Sequence, residues 1–349
     1  MLSERAGAVL NILVDQYVST AAPVASEDIA RRSATKVSPA TVRSAMSRLA
    51  EEGYISRPHV SAGGIPSDMG YRFYVESLKE VPPLPSSVRK TIGNHFRQAD
   101  LDGDAWSQQC ASLLSRITAN LAIVTVPKAR TPRLKRIQLV YVQEALALLI
   151  IVLQEAQLLQ RLLPLTEGVA QDILDQTSNT LNERLGGLSH PEIEANIQPL
   201  TPLEERVKRD TLGMMRDAEH AGVQEHHVDG LRLLLDQPEF SESSRAREVV
   251  ELLEERVLLE SVLSKAPQKD DLAIYIGGEN SADVLRPFGV VVCQYGMADS
   301  LGGTICVVGP TRMGYAEVMS AVRYLSSFMS QLIVGIHGGA PPGQGQIAP

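Results

Sequence analysis

The chain has 349 residues, 44% of them hydrophobic and only 4% aromatic, which suits two or three domains with aliphatic cores and excludes a disordered chain. Three widely spaced cysteines, Cys110, Cys293 and Cys306, without a CxxC pair, argue against a disulfide framework; residues 1–8 lack a signal pattern, and the longest apolar run, 145–153, falls far short of the roughly 20 residues of a membrane span, so the sequence reads as soluble and cytoplasmic, with no membrane partner. The net charge of −8 speaks against nucleic acid until its distribution is considered: residues 31–72 hold seven Lys/Arg and three Asp/Glu, a locally basic stretch on an acidic remainder.

In chain order, residues 3–17 space Ala6, Val9, Leu10, Leu13 and Tyr17 as one face of an amphipathic helix. Ser26 is placed to cap a second helix over 27–32, with two acids in its first turn. Ser38-Pro39 is a strong start for a third, which runs to about 52 and stops at Gly53. Residues 54–56 and 65–67 pair as short strands around a small-residue tip, and 71–78 is a helix leading out. The proline-rich segment 81–85 reads as a linker.

Residues 86–121 are helical in pattern, and 123–126 begins a strand. Three apolar runs, 135–142, 146–153 and 158–165, form a three-stranded meander in the preferred reading; a buried helix is the rival, because periodicity alone does not separate the two. Helices follow over 167–185, 202–220 and 249–263. Strands return over 272–276, 290–295 and 304–308, a helix spans 316–333, and a Gly/Pro-rich tail reads as disordered.

The informative stretch is 26–53. A helix, a four-residue turn at 34–37 and a second helix match helix-turn-helix geometry. Val42, Ala45, Met46 and Leu49 form an inner face, leaving Thr41, Arg43, Ser44, Ser47 and Arg48 outward. Thr41 and Ser44 can bond donors or acceptors on a base, Arg43 can fork onto guanine or hold a phosphate, and amides near Ser38 can meet a phosphate. The segment from Arg57 to Ser67, with His59, Ser61 and Gly63 near its tip, has the form of a wing. The plain alternative is a three-helix bundle with polar residues facing water.

Several sets of residues then carry a resemblance. They are Ser38-Pro39-Ala40-Thr41-Val42-Arg43, Pro58-His59, Ser61-Ala62-Gly63, Ile65-Pro66 and Gly70-Tyr71-Arg72-Phe73-Tyr74-Val75, followed far along the chain by Tyr275-Ile276-Gly277-Gly278-Glu279-Asn280 and Gly309-Pro310-Thr311-Arg312-Met313-Gly314-Tyr315. Together they resemble the HrcA family, the heat-inducible repressors of bacterial chaperone operons.

The resemblance implies a multidomain α+β chain with three parts: a winged helix-turn-helix domain at 1–80, a GAF-like α+β domain from 86–130 and 222–338, and an inserted α+β dimerising domain at 131–221; the Gly/Pro-rich composition leaves 339–349 as a disordered tail. It implies repression from an inverted-repeat operator of the CIRCE type on double-stranded DNA, a homodimer, and a GroE-type chaperonin as supporting partner. The DNA-binding residues read from the third helix and the wing are Ser38, Thr41, Arg43, Ser44, Ser47, Arg48, Arg57, His59, Ser61 and Gly63. The family usually carries Asn at position 44, Arg at 64 and Asp at 314. Ser44 puts a bidentate adenine contact in doubt, Gly64 a wing contact to phosphate or minor groove.

No catalytic set, cofactor motif or metal site stands out. His226 and His227 point to different faces and read as surface residues; Gly277-Gly278 and Gly302-Gly303 read as hairpin turns. Cys293 and Cys306 read as small hydrophobes, and Glu204-Glu205 and Glu254-Glu255 as solvated helix faces. Two rival functions remain: a regulator whose GAF-like domain senses a small ligand, and an enzyme tethered to DNA by its N-terminal module.

Overall fold

The structure is a computed structural model and describes residues 2–33, 37–57, 63–78, 81–97, 102–129, 132–143, 145–154, 157–165, 168–221, 225–240, 267, 271–297 and 301–337. It is mixed α+β and divides into two compact units. The first comprises 1–126, 226–296 and 303–349; the second comprises 127–225 and 297–302. The turn at 34–36, the wing tip, the helix expected over 249–263 with Glu254-Glu255, and the tail beyond 337 lie outside the described residues.

The first unit opens with three helices, α1 (Glu4–Thr20), α2 (Ser26–Arg32) and α3 (Pro39–Glu51). Leu10, Leu13, Ile29, Val42, Met46 and Leu49 are among the fully buried residues of this module. The i, i+3, i+4 spacing of apolar residues on α1 and α3 is the cause: one stripe on each helix must leave water. Ser26 does not cap α2 as expected. It is the buried first residue of the helix, and Ala25 holds the N-cap position without a side-chain bond. Gly53, at φ +81°, ends α3 as expected. Strands β1 (Ile55–Ser56) and β2 (Ile65–Pro66) pair antiparallel and lead into α4 (Asp68–Ser77). The segment 81–85 has no regular structure but is anchored: the Ser320 hydroxyl donates to the Pro82 carbonyl and Leu84 is buried.

The expected helical stretch 86–121 is broken. Helix α5 (Ser86–Arg97) is followed by α6 (Gly103–Thr118), which Asp102 caps by accepting from the Asp104 amide at 3.2 Å. Ala119 turns left-handed, and Leu121 belongs to β3 (Leu121–Thr125). An Asp N-cap and a left-handed C-cap override the apolar periodicity that ran through them.

β3 lies in an antiparallel sheet with β8 (His226–Asp229), β9 (Leu272–Ile276), β10 (Phe288–Gly296) and β11 (Leu301–Pro310), in the order β8-β3-β11-β10-β9. Alternation along the strands fills both sides. Val290 and Val292 join Leu121, Ile123, Cys306 and Val308 in a core with Leu234 of α10 (Leu231–Leu235), Phe240 and Phe288. On the other side Cys293 lies 3.5 Å from the Ser326 hydroxyl of α11 (Tyr315–His337), and Ser330 of the same helix accepts from the Gly296 amide. Burial raises the Cys110 and Cys306 thiols well above their ordinary range, so they pack as neutral small groups.

Several minor expectations change here. Gly277-Gly278 do lie in the connection between hairpin partners β9 and β10, as a 3-10 turn, but Gly302-Gly303 lie inside β11. A Cβ at 303 would come within 2.6 Å of the Tyr295 hydroxyl, so glycine is there for the close approach of a ring. His226 and His227 are half-buried on the unexpected strand β8, and His227 Nε2 lies 2.8 Å from Asp104 Oδ1.

The module and the sheet-based body meet within this unit. On α4, Arg72 donates through Nε to Glu279 Oε1 at 2.8 Å, pairs through Nη2 with Glu279 Oε2, and donates to the Ile274 carbonyl at 2.7 Å. Asp68 accepts the Gly278 amide at 2.8 Å. From the body, Arg312 donates to the Val18 carbonyl of α1 at 3.1 Å and is held by Glu239 and Gln237. Tyr71 and Tyr315 pack with ring centroids 6.3 Å apart; burial lifts both phenols far above the ordinary range, keeping them neutral.

In the second unit, β5 (Leu134–Gln143), β6 (Leu146–Leu153) and β7 (Leu158–Pro164) form the expected antiparallel meander, which removes the buried-helix alternative. Short β4 (Lys128–Ala129) pairs with the first two residues of β11. Helices α7 (Gln171–Leu185), α8 (His190–Ala195) and α9 (Pro202–Ala221) supply Leu174, Leu181, Ile193, Val207 and Met215 to a core shared with Leu139, Leu149, Ile151 and Leu163. Glu204 is not solvated as expected: it is buried, accepts the Thr201 amide at 2.7 Å, and its own amide bonds the Thr201 hydroxyl, a reciprocal cap.

Two tests follow from this packing. Tyr295 cannot retreat, since its hydroxyl donates to the Thr125 carbonyl at 2.5 Å. Gly303→Ala is expected to destabilise the chain by about 1–3 kcal/mol in thermal denaturation, whereas Gly93→Ala, with open space around its Cβ, is expected to be neutral or slightly stabilising. Burial raises the Glu279 carboxyl, but the bonds from Arg72 and the Ile276 amide outweigh it and hold it below the usual carboxylate range. A depressed acid contributes fully above its unfolded value of about 4.3 and loses that contribution as pH falls through the folded one. The native chain is expected to melt above Glu279→Gln at pH 7, with the gap closing as pH drops below about 4; a gap unchanged at pH 3 would remove the carboxylate from this contact.

Candidate nucleic-acid interface

Helix α3 is the element that sets the candidate surface. Ser38 caps it by accepting the Thr41 amide at 3.2 Å, and its hydroxyl lies 2.9 Å from Thr41 Oγ1. Pro39 at the first turn has no amide to satisfy and pre-sets the helical φ. Val42, Met46 and Leu49 are fully buried on the side packed against α1, α2 and β1. The opposite side follows from the helical repeat: Ser38, Arg43, Ser44 and Arg48 are exposed, Thr41, Ala45 and Ser47 half-buried.

The charges on that side are not idle. Arg43 Nη2 lies 3.2 Å from Glu27 Oε1 of α2, both side chains 58% exposed. Arg48 Nε lies 2.7 Å from Glu52 Oε1. Exposed pairs of this kind contribute only about 0–1 kcal/mol, so each guanidinium can exchange its carboxylate for another anion at little loss. Arg57, half-buried after β1, donates to the Ser47 hydroxyl at 3.4 Å, and that hydroxyl bonds the Arg43 carbonyl at 3.1 Å. The bond connects Arg57 to the middle of α3.

Of the ten residues singled out from sequence, six therefore share α3 or its cap, and Arg57 joins them through Ser47. Gly63 sits apart, at the foot of β2, where a Cβ would come within 2.5 Å of the Pro23 backbone. His59 and Ser61 lie outside the described residues. Position 64 corrects an expectation. The Gly64 amide and carbonyl bridge to Val24, and a Cβ there would meet Leu13, Met46 and Ile55. The Cβ direction at 64 points into the module's own core, within 2.8 Å of Leu13, so glycine there answers to the close approach of these side chains.

Sequence reasoning missed Glu27 as the partner of Arg43. Its position in the first turn of α2 reads equally well as a response to the helix dipole, and only the crossing of α2 and α3 brings it to the guanidinium. It also missed Asp68, Arg72, Glu239 and Arg312 as the groups that hold this module to the body. Arg72 and Glu279 stand in two of the motifs quoted above, 207 positions apart, with nothing in either to say that they meet.

Comparison with known proteins places this architecture. The family described as HrcA protein C terminal domain matches residues 104–319. A heat-inducible transcription repressor HrcA of Dehalococcoides mccartyi is 38% identical over 344 residues, covering 99% of each chain. One from Herpetosiphon aurantiacus is 36% identical, covering 97% of each. A crystal structure of a hypothetical protein solved at 2.2 Å resolution superposes with a TM-score of 0.62 at 23% identity, over 96% of this chain and 99% of that one, and shares the fold. Identity at this level, sustained over nearly the whole length, means that the chain belongs to the HrcA family.

Proposed function

We propose that the chain is a heat-inducible transcription repressor whose N-terminal module is a winged helix-turn-helix, gripping an inverted-repeat operator of the CIRCE type as a homodimer. The observation that carries it is the outer side of α3: a capped helix whose first two turns present Ser38, Thr41, Arg43 and Ser44, with Arg48 and Arg57 beside them. Such a helix fits the major groove N-terminus first. Arg43 leaves Glu27 to fork onto a guanine or a phosphate. Ser44 and Thr41 bond base edges, and the Ala40 amide, next to Pro39, faces a phosphate at the open helix end. Arg48, Arg57 and the wing residues His59, Ser61 and Gly63 supply backbone contacts that set register rather than sequence. The loss of activity on heating and the support by a GroE-type chaperonin belong to the same reading, as does the GAF-like character of the body; family membership supports them.

The homodimer has its own support in the second unit. One side of its sheet packs on the helices. On the other, Val140, Leu148 and Leu162 stand in one cross-strand row, Val152 and Leu158 in another, with Ile150 between them. Leu158 and Leu162 are 59% and 56% exposed. Gln138 and Gln160 flank Ile150, and Arg136 stands beside Val152, so the face carries exposed apolar residues with a few polar ones among them; exposed apolar groups of this extent suit an interaction surface, and a second copy covers it by symmetry.

Arg43→Ala is expected to weaken operator binding in a gel-shift assay by about 1–3 kcal/mol, the worth of a bidentate contact, with the melting temperature nearly unchanged. Glu27→Gln is expected to tighten binding a few-fold (on the order of 0.5–1 kcal/mol, the size of an exposed pair), since it frees the guanidinium and removes an acid facing DNA. Wild-type affinity in Arg43→Ala would take that residue out of the contact set. For the dimer, Leu148→Glu with Leu162→Glu is expected to yield monomers in light scattering; a persisting dimer would relocate the interface.

A further inference from the structure

We infer that Arg72 and Arg312 are positioning residues that clamp the N-terminal module to the body at two separate points and thereby fix the direction in which α3 presents its outer side. The inference rests on the operator-binding reading above and adds to it the means by which the body governs the grip.

The two clamps run in opposite directions. Arg72 projects from α4 of the module onto the body, where it takes both Glu279 oxygens and the Ile274 carbonyl. Glu279 is oriented for it by the Ile276 amide, and Asp68, one turn earlier on α4, accepts the Gly278 amide. The fit is close: Gly277 adopts φ +57°, and a Cβ there would collide with the Asp68 carboxylate. Arg312 projects from the body onto the module. Its Nη1 donates to the Val18 carbonyl, one of the last four of α1, which have no partner within the helix. α1 has no basic residue in its last turn, so the body supplies the cation that the end of the helix favours. Glu239 takes Nε and Nη2 of the same guanidinium and Gln237 a second bond from Nη2, leaving the fork only one orientation.

One contact between two rigid bodies leaves a hinge; two separated contacts remove rotation about it. Both clamps use a planar guanidinium that bonds a carboxylate with one edge and a backbone carbonyl with another, which a lysine ammonium cannot reproduce. The side chains of Arg312 and Arg72 are 12% and 29% exposed, so both bonds are shielded in part from water. None of these residues lies on the outer side of α3. A change in the body at 237–240, 277–280 or 312 therefore alters the aim of α3 while leaving every DNA-contacting group in place. Two half-sites must be met at once, so free rotation of each module forfeits the gain from joint engagement without touching the affinity of one module for one half-site.

The experiment uses the full chain with spin labels at Glu51→Cys on α3 and Gln331→Cys on α11, both exposed, the native cysteines being buried. A narrow distance distribution is expected in the parent. A broad one is expected in Arg72→Ala with Arg312→Ala, and also in the double lysine variant. Arg72→Gln alone guards against loss of folding and should broaden the distribution to a lesser degree. In parallel, affinity for DNA carrying two half-sites is expected to fall at least about tenfold, while that for a single half-site changes less than about twofold. A distribution as narrow in the double alanine variant as in the parent overturns the clamp. Equal losses on both DNAs, which would mark a damaged module, also overturn it. If the parent binds neither DNA, the operator reading fails while the distance measurement still decides the clamp.

Discussion

The guanidinium of Arg312, held by Glu239 and Gln237 and donating to the Val18 carbonyl, ties the end of the first helix to a residue almost three hundred positions later. Together with the Arg72 contacts to Glu279 and Ile274, it turns a small helical module that could pivot into one with a defined heading. These are charge-assisted, partly shielded bonds with planar geometry, and so they specify orientation as well as affinity. In the proposed dimer, the outer side of α3 meets a half-site only if that heading is maintained.

The module is built to be read from one side. Val42, Met46 and Leu49 commit the inner face of α3 to the core, and Ser38 with Pro39 commits its N-terminus. The arginines left outward are parked on nearby acids, Arg43 on Glu27 and Arg48 on Glu52. Exposed ion pairs of this sort are weak enough to exchange. In the proposed complex, the phosphates of DNA replace these carboxylates.

The second unit divides its labour in a similar way. Alternation along β5, β6 and β7 sends Leu139, Leu149, Ile151 and Leu163 into a core with three helices, while Val140, Leu148, Ile150, Leu158 and Leu162 stand on the opposite face among Arg136, Gln138 and Gln160. The same period-two pattern thus serves folding on one side and, in the proposed dimer, association on the other.

Much of this was legible in the residues. The helices of the module, its hairpin, the meander and the three strands of the C-terminal part follow from apolar periodicity, from Ser-Pro and Gly punctuation and from β-branched runs, all of which act over a few positions. Cap chemistry proved stronger than periodicity where Asp102 and Ala119 interrupt the expected helix over 86–121, and a pair of glycines was misread because Gly303 answers to the ring of Tyr295 rather than to a turn. The outward assignment of Arg43, Ser44 and Arg48 also follows from sequence, because a helix with one apolar stripe has only one other side. Tertiary structure alone decided the rest: that Glu27 faces Arg43, that position 64 points inward, and that Arg72 and Arg312 find Glu279 and Val18. Local pattern sets which face of an element is dry; which charged group meets which across the fold depends on the crossing of elements distant in sequence, where any exposed acid is an equal candidate until the packing of the cores brings one of them within reach.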